Sequence, residues 1–247
     1  MRLKNAYAVL IMAVAFSGNV AAHAKTVETN QVRVYQAPAW LYPRQVAKSA
    51  DKAEDFMEWS IKRVDAFYHQ SESSFSDANP PGKLAIAFSR QSDQTIHLSP
   101  RVDRKNFSSI LTHELVHITV YQKYKDSIPV WLNEGLANSV AKNGRVDYSV
   151  LSRINRISVT SLGHPFSETG KVSVSDQYQV STALMEMISK KCDIHDLLQM
   201  SVKKKLQDYL DNLCGIGDLN AEFWKWVDFK ANQHKKLEKL KEKNLNA

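Results

Sequence analysis

The chain divides by the rhythm of its apolar positions. Val27 to Tyr35 alternates weakly between apolar and polar, with Val32 and Val34 in phase, and predicts a first strand. Pro38 and Pro43 then bracket a turn-like connection. From Arg44 to about Gln70, apolar residues such as Val46, Phe56, Trp59, Val64, Phe67 and Tyr68 recur mostly three and four apart. No Gly or Pro intervenes, so the spacing predicts a long amphipathic helix. Ser71 to Gly82, closing on Pro80-Pro81-Gly82, reads as a loop. Lys83–Phe88 and Gln94–Leu98 are predicted as two strands flanking the turn-rich segment Ser89 to Asp93, a hairpin or neighbours in a small sheet. His97 falls on the second of them, where a lone His is usually a packing residue.

The second half has the period of helices. Asn106 to Tyr124 is apolar on much of its circumference, which predicts a buried helix. Lys125 to Ile128 breaks it. Pro129 opens the next helix, where its missing N–H costs nothing, and that helix ends near Lys142 at Asn143-Gly144. Further helices are predicted over Val146–Ile157, Asp176–Lys190, Asp193–Met200 and Val202–Leu213, and a last one from Leu219. Ser158 to Ser175, with Gly163, Pro165 and Gly170, is a long irregular segment of the kind that borders active sites. The expected class is α+β and mostly helical. A small sheet in the N-terminal half packs on the Asn106–Tyr124 helix, and a helical C-terminal part follows.

Composition changes the picture at the two ends. Arg2 and Lys4, the apolar run Ala6 to Phe16 and the small-x-small site Ala22-His23-Ala24 predict a signal peptide over residues 1–24. The expected product is exported, periplasmic or secreted, with no later membrane span. It comprises a single domain over 25–233 and a charged tail over 234–247, either a solvated helix or frayed. After cleavage, 31 Lys and Arg stand against 26 Asp and Glu, a net charge of +5. Much of the excess sits in the tail, which is weak support for a nucleic-acid partner, and none is expected. Cys192 and Cys214 are the only cysteines. In an oxidising compartment they predict one disulfide, closing about 22 residues and contributing about 3 kcal/mol in the chain-entropy view.

The chemistry lies in Ile110 to Asn138. His113-Glu114-Leu115-Val116-His117 matches H-E-x-x-H. Residues four apart share one helix face, so His113 and His117 present two imidazoles to one ion. Glu114 beside them is placed to reach water there. Zinc takes a third protein ligand and leaves a fourth position open, and Glu134, seventeen residues after His117, is the natural third ligand. Val120 and Lys123 stand where a metzincin extension needs Gly and His, and an inverted H-x-x-E-H is absent. Buried ionisable groups in so apolar a helix are costly without a partner.

HELVH followed by Trp131-Leu132-Asn133-Glu134-Gly135-Leu136-Ala137 resembles the gluzincin metallopeptidases, specifically the peptidase MA-like group. The resemblance is sharp over residues 110–138 and loose over 27–230. It implies a zincin-like fold and one Zn2+ held by His113, His117 and Glu134, with Glu114 as the base. It also implies a tyrosine helix at Tyr178-Gln179-Val180-Ser181. Tyr178 is the first choice for the donor to the developing oxyanion and His164 the second. By analogy with the group, Thr95 to Ser99 is the edge strand that pairs with an extended substrate. Asn138 replaces an Asp that hydrogen-bonds a ligand His in thermolysin-like enzymes, and it retains an acceptor for a His N–H. The G-x-M-x-N stretch of aminopeptidase N enzymes is missing, which disfavours an aminopeptidase. The leading expectation is an exported zinc endopeptidase acting on peptides or proteins. Alternatives are a catalytically silent, zinc-bearing binding or chaperone-like protein of the envelope and, weakest, a nucleic-acid or anionic-surface binder using the basic tail.

Overall fold

The structure, a computed structural model, describes residues 25–142, 145–163, 165 and 173–245. The expected signal peptide over 1–24 lies outside them. Among the described residues the sheet has five strands: β1 (Lys25–Glu28), β2 (Val32–Ala37), β3 (Val64–Tyr68), β4 (Ala87–Arg90) and β5 (Thr95–Leu98). Their order is β1-β2-β3-β5-β4. β2, β3 and β5 run parallel, and β1 and β4 are antiparallel to their neighbours.

The single strand expected over Val27–Tyr35 is a hairpin. Thr29 closes the turn, its N–H donating to Val32 O at 2.9 Å and its hydroxyl accepting from Val32 N at 3.0 Å.

The long helix expected to Gln70 is also corrected, because α1 (Pro43–Met57) stops and β3 follows. Glu58 caps α1 in the left-handed conformation, φ 46°, with its N–H on Glu54 O. The Glu54 carboxylate then accepts from Ile61 N at 2.7 Å and Gln31 Nε2 at 3.0 Å, bracing the exit. Val64, Ala66 and Tyr68 are buried between half-buried Asp65 and Phe67, a period of two. Ile61, Val64 and Tyr68 also fit helical spacing, which is why the strand is hidden. The topology requires the change: β2 and β3 are parallel, and α1 is their crossover.

Two more expectations shift. The loop over Ser71–Gly82 contains α2 (Glu72–Asp77), whose N-cap Ser71 accepts from Ser74 N at 3.1 Å. β4 begins at Ala87 rather than Lys83, because Gly82 to Ala85 is a turn that leaves Leu84 70% exposed. The hairpin of β4 with β5 holds.

α1 and α3 (Phe107–Tyr124) pack on each other and against the sheet, with α3 nearest β4. On the sheet's other face Tyr35, Phe67, His97 and Phe88 are in register across four strands, and their rings contact in sequence. α4 (Val130–Ala141) folds back on α3, and α6 (Val174–Ile188) packs on α4. The helix expected over Val146–Ile157 shrinks to one turn, α5 (Tyr148–Leu151). Asp147 caps it, and Leu151 is its only buried residue. α7 (Ile194–Val202), α8 (Leu206–Asn212) and α9 (Leu219–Leu245) complete the helical part. Cys192 and Cys214 form the expected disulfide across α7 and α8, Cα to Cα 5.2 Å. The tail continues α9 as a helix to Leu245 and is exposed over residues 234–241. No helix among the described residues is long and apolar enough to cross a membrane.

Candidate metal centre

α3 carries His113 and His117 on one face, buried at 7% and 6% exposure. Their Nε2 atoms lie 3.0 Å apart with the rings nearly perpendicular, at 88°. A turn of 3-10 helix at Lys125–Ser127 reverses the chain, with Lys125 at φ 56°. Pro129 then sits at the N-cap of α4. This brings Glu134, also buried, to the two imidazoles. Its carboxylate oxygens are 3.7 Å from His113 Nε2 and 3.8 Å from His117 Nε2. The three candidate ligand atoms lie within 4.8 Å of one another.

Gly135 sets how closely the next layer approaches. A Cβ there would stand 2.6 Å from the backbone oxygen of Ser181 and 3.0 Å from Met185 Cβ, both on α6. The absent side chain thus lets α6 pack against the helix that carries Glu134. α6 in turn places Tyr178 over the cluster, its ring centroid 6.1 Å from that of His113.

The electrostatics match the burial. Desolvation pushes the Glu134 carboxyl up to about 8. Burial also pushes Glu114 up to about 7; His117 and the hydroxyl of Ser89 on β4 pull it down, while Glu134 adds to the rise. Burial, followed by the Glu134 and Glu114 carboxylates, raises the Tyr178 phenol far above its usual range. Tyr178 therefore keeps its proton and stays a donor. Two desolvated carboxylates beside two imidazoles form a set that a divalent cation stabilises, because its charge offsets the cost of holding them ionised. The donor set of two nitrogens and one carboxylate fits a metal ion.

Support for His117 comes from a residue that sequence reasoning overlooked. Asn133 Oδ1 lies 3.0 Å from His117 Nδ1. Asn138, whose amide was expected to take that kind of role, is 2% exposed, and neither amide atom hydrogen-bonds among the described residues. Position settles the difference: Asn133 precedes Glu134 directly and lies on the α3 side of α4. His164, the second choice for an oxyanion donor, lies outside the described residues. His97 stacks between Phe67 and Phe88 and hydrogen-bonds His69 at 3.0 Å, so it belongs to the far face of the sheet.

The cleft has two arms, of about 550 and 470 Å3, which share Ala87, His113, Glu114 and Tyr178. The strand flanking both is β4. The edge expected at Thr95–Ser99 is corrected here, because β5 is hydrogen-bonded on both sides, to β3 and β4. β4 is the sheet's outer strand beside Glu114, and the Ser89 hydrogen bond fixes that contact. No protein-family model, no curated protein and no solved structure matches the chain.

Proposed function

We propose that the protein is an exported zinc-dependent peptidase that hydrolyses peptide bonds within a chain. The observation that carries the reading is the position of Glu114, beside the converging His113, His117 and Glu134 and at the meeting point of both cleft arms. Zinc is the metal best suited to two imidazoles and one carboxylate with a position left over.

When bound, zinc supplies Lewis-acid polarisation of the scissile carbonyl and lowers the pKa of water to about 7. His113, His117 and Glu134 would hold it, and Asn133 orients His117. Glu114 takes the proton from the attacking water. Its burial gives it an affinity for that proton which a solvated carboxylate lacks, and it passes the proton to the leaving amine. Tyr178, kept protonated, donates a hydrogen bond to the oxygen on which charge develops. An extended substrate pairs with the outer edge of β4, which threads the two arms past Glu114. A cleft with an arm on either side of Glu114 suits an internal bond better than an N-terminal one. The Cys192–Cys214 disulfide is compatible with export.

The test is metal analysis together with cleavage of an unbiased peptide library by the wild type and by Glu114→Gln. The expected result is one zinc per chain in both, with cleavage by the wild type alone. Stoichiometric zinc without cleavage of any library member would instead identify a silent, zinc-bearing binding protein.

A further inference from the structure

The larger arm of the cleft has an uneven chemistry. Leu84, Ile86, Ile110, Val146 and Val174 give it apolar walls. Among the described residues its only acidic lining group is Glu114, and its only cationic side chain is Arg145. Arg145 is exposed and forms no ion pair with any described residue.

Arg145 and Val146 also line a neighbouring cavity of about 580 Å3, together with Lys230 and His234. The acids of that cavity are engaged. Asp147 caps α5, accepting from Ser149 N at 2.9 Å and Val150 N at 3.0 Å. Glu186 accepts from the Tyr148 hydroxyl at 2.7 Å and pairs with Lys230 at 2.8 Å. The guanidinium between the two cavities therefore has no described carboxylate to neutralise it.

Asn138 adds an independent observation. It lines the same arm at 2% exposure, and its amide donor and acceptor are both without a hydrogen bond among the described residues. A buried amide left in this state costs free energy.

We propose that Arg145 is a specificity-determining residue of this arm. The apolar walls take a large uncharged side chain of the substrate, and Arg145 binds a carboxylate just beyond it. Apolar walls disfavour a charged side chain, and the volume suits a large residue. A planar guanidinium reads a carboxylate by two parallel hydrogen bonds. The carboxylate comes either from the C-terminus of the substrate or from an acidic side chain. The inference rests on the peptidase reading for the identity of the ligand, a peptide.

The experiment uses dye-labelled alanine-rich peptides carrying one phenylalanine. In one pair the phenylalanine is C-terminal, with a free carboxylate or an amide. In the other, an amidated peptide carries Glu or Gln directly after it. Binding is read by fluorescence anisotropy on zinc-treated Glu114→Gln protein, so that no probe is consumed, and again on Glu114→Gln with Arg145→Gln. At least one carboxylate form is expected to bind roughly tenfold tighter than its uncharged match, the scale of one charge-assisted hydrogen bond at a wet rim. Arg145→Gln removes that preference and leaves the affinity of the uncharged probes in place. The responding pair tells a terminal carboxylate from an internal one. Equal affinities within both pairs, a preference that survives Arg145→Gln, or no binding of any probe overturns the proposal. Cleavage by the wild type is followed in parallel. Absence of cleavage with the carboxylate preference intact sinks the peptidase reading alone, and cleavage without the preference sinks the Arg145 assignment alone.

Discussion

Asn133 and His117 are joined side chain to side chain, Oδ1 to Nδ1 at 3.0 Å, across the junction of α3 and α4. The carboxamide oxygen is an acceptor, so it holds the imidazole proton on Nδ1 and turns the Nε2 lone pair toward His113 and Glu134. Asn133→Ala is expected to weaken metal binding about 10–100-fold, the usual cost of losing such a partner. Asn133→Asp keeps an acceptor oxygen and should recover most of the loss. Competition against a chromophoric chelator measures both, and an unchanged affinity in Asn133→Ala would remove Asn133 from the centre.

Tyr178 contributes a hydroxyl and little else to the proposed chemistry. Tyr178→Phe should leave zinc content and KM close to wild type and lower kcat about 10²- to 10³-fold, as removal of one oxyanion donor does. Steady-state kinetics on a cleaved library peptide decides the matter. A full kcat in Tyr178→Phe makes it a packing residue of α6.

How much of this was legible in the sequence follows from where the information lies. His113, His117 and Glu134 occupy strongly periodic helices, and one helical turn plus one short reversal is enough to place them together. Tyr178 came only through resemblance, and the structure sets its ring against His113. β3 was hidden because Val64 and Tyr68, four apart, satisfy two periods at once; only pairing with β2 chooses between them. The expected edge at Thr95–Ser99 failed for a related reason, since strand order depends on a crossover that a local pattern does not encode. Ser89 and Arg145 carry no motif of their own, and Asn133 lies inside the Trp131–Ala137 stretch with nothing in its spacing to mark a role. Asn133 and Ser89 are tied to the site only by how α4 and β4 pack against α3.

His97 makes stability depend on pH. Burial, then the neighbouring His69 and Arg90, lowers its pKa from 6.5 to about 4. The unfolded chain therefore binds a proton between those values that the folded chain refuses. Stability is fully present above pH 6.5 and falls as the pH drops toward 4, by on the order of 3 kcal/mol at most. His69 is lowered by burial too and adds to the effect in the same direction. His97→Phe keeps a ring between Phe67 and Phe88 and removes the titration. Urea unfolding at pH 7 and pH 4.5 should show a smaller difference in the variant. An equal loss in both proteins would assign the acid sensitivity elsewhere.

Gly135 separates two opposing effects of a single methyl group. Gly→Ala inside a helix normally stabilises by up to about 1 kcal/mol through propensity alone. Here the new Cβ would meet a backbone oxygen at 2.6 Å, and a backbone cannot swing aside as the end of a flexible side chain does. α6 must move away from α4, a strain of about 1–3 kcal/mol. The clash outweighs the propensity gain, so Gly135→Ala should lower Tm by a few degrees, at about 2–4 °C per kcal/mol for a chain of this size. α4 carries Glu134 and α6 carries Tyr178, so the same displacement also opens the cleft. The proposed peptidase activity should fall at temperatures where the variant is still folded. A higher Tm with full activity would show that propensity prevails and that the two helices have room to spare.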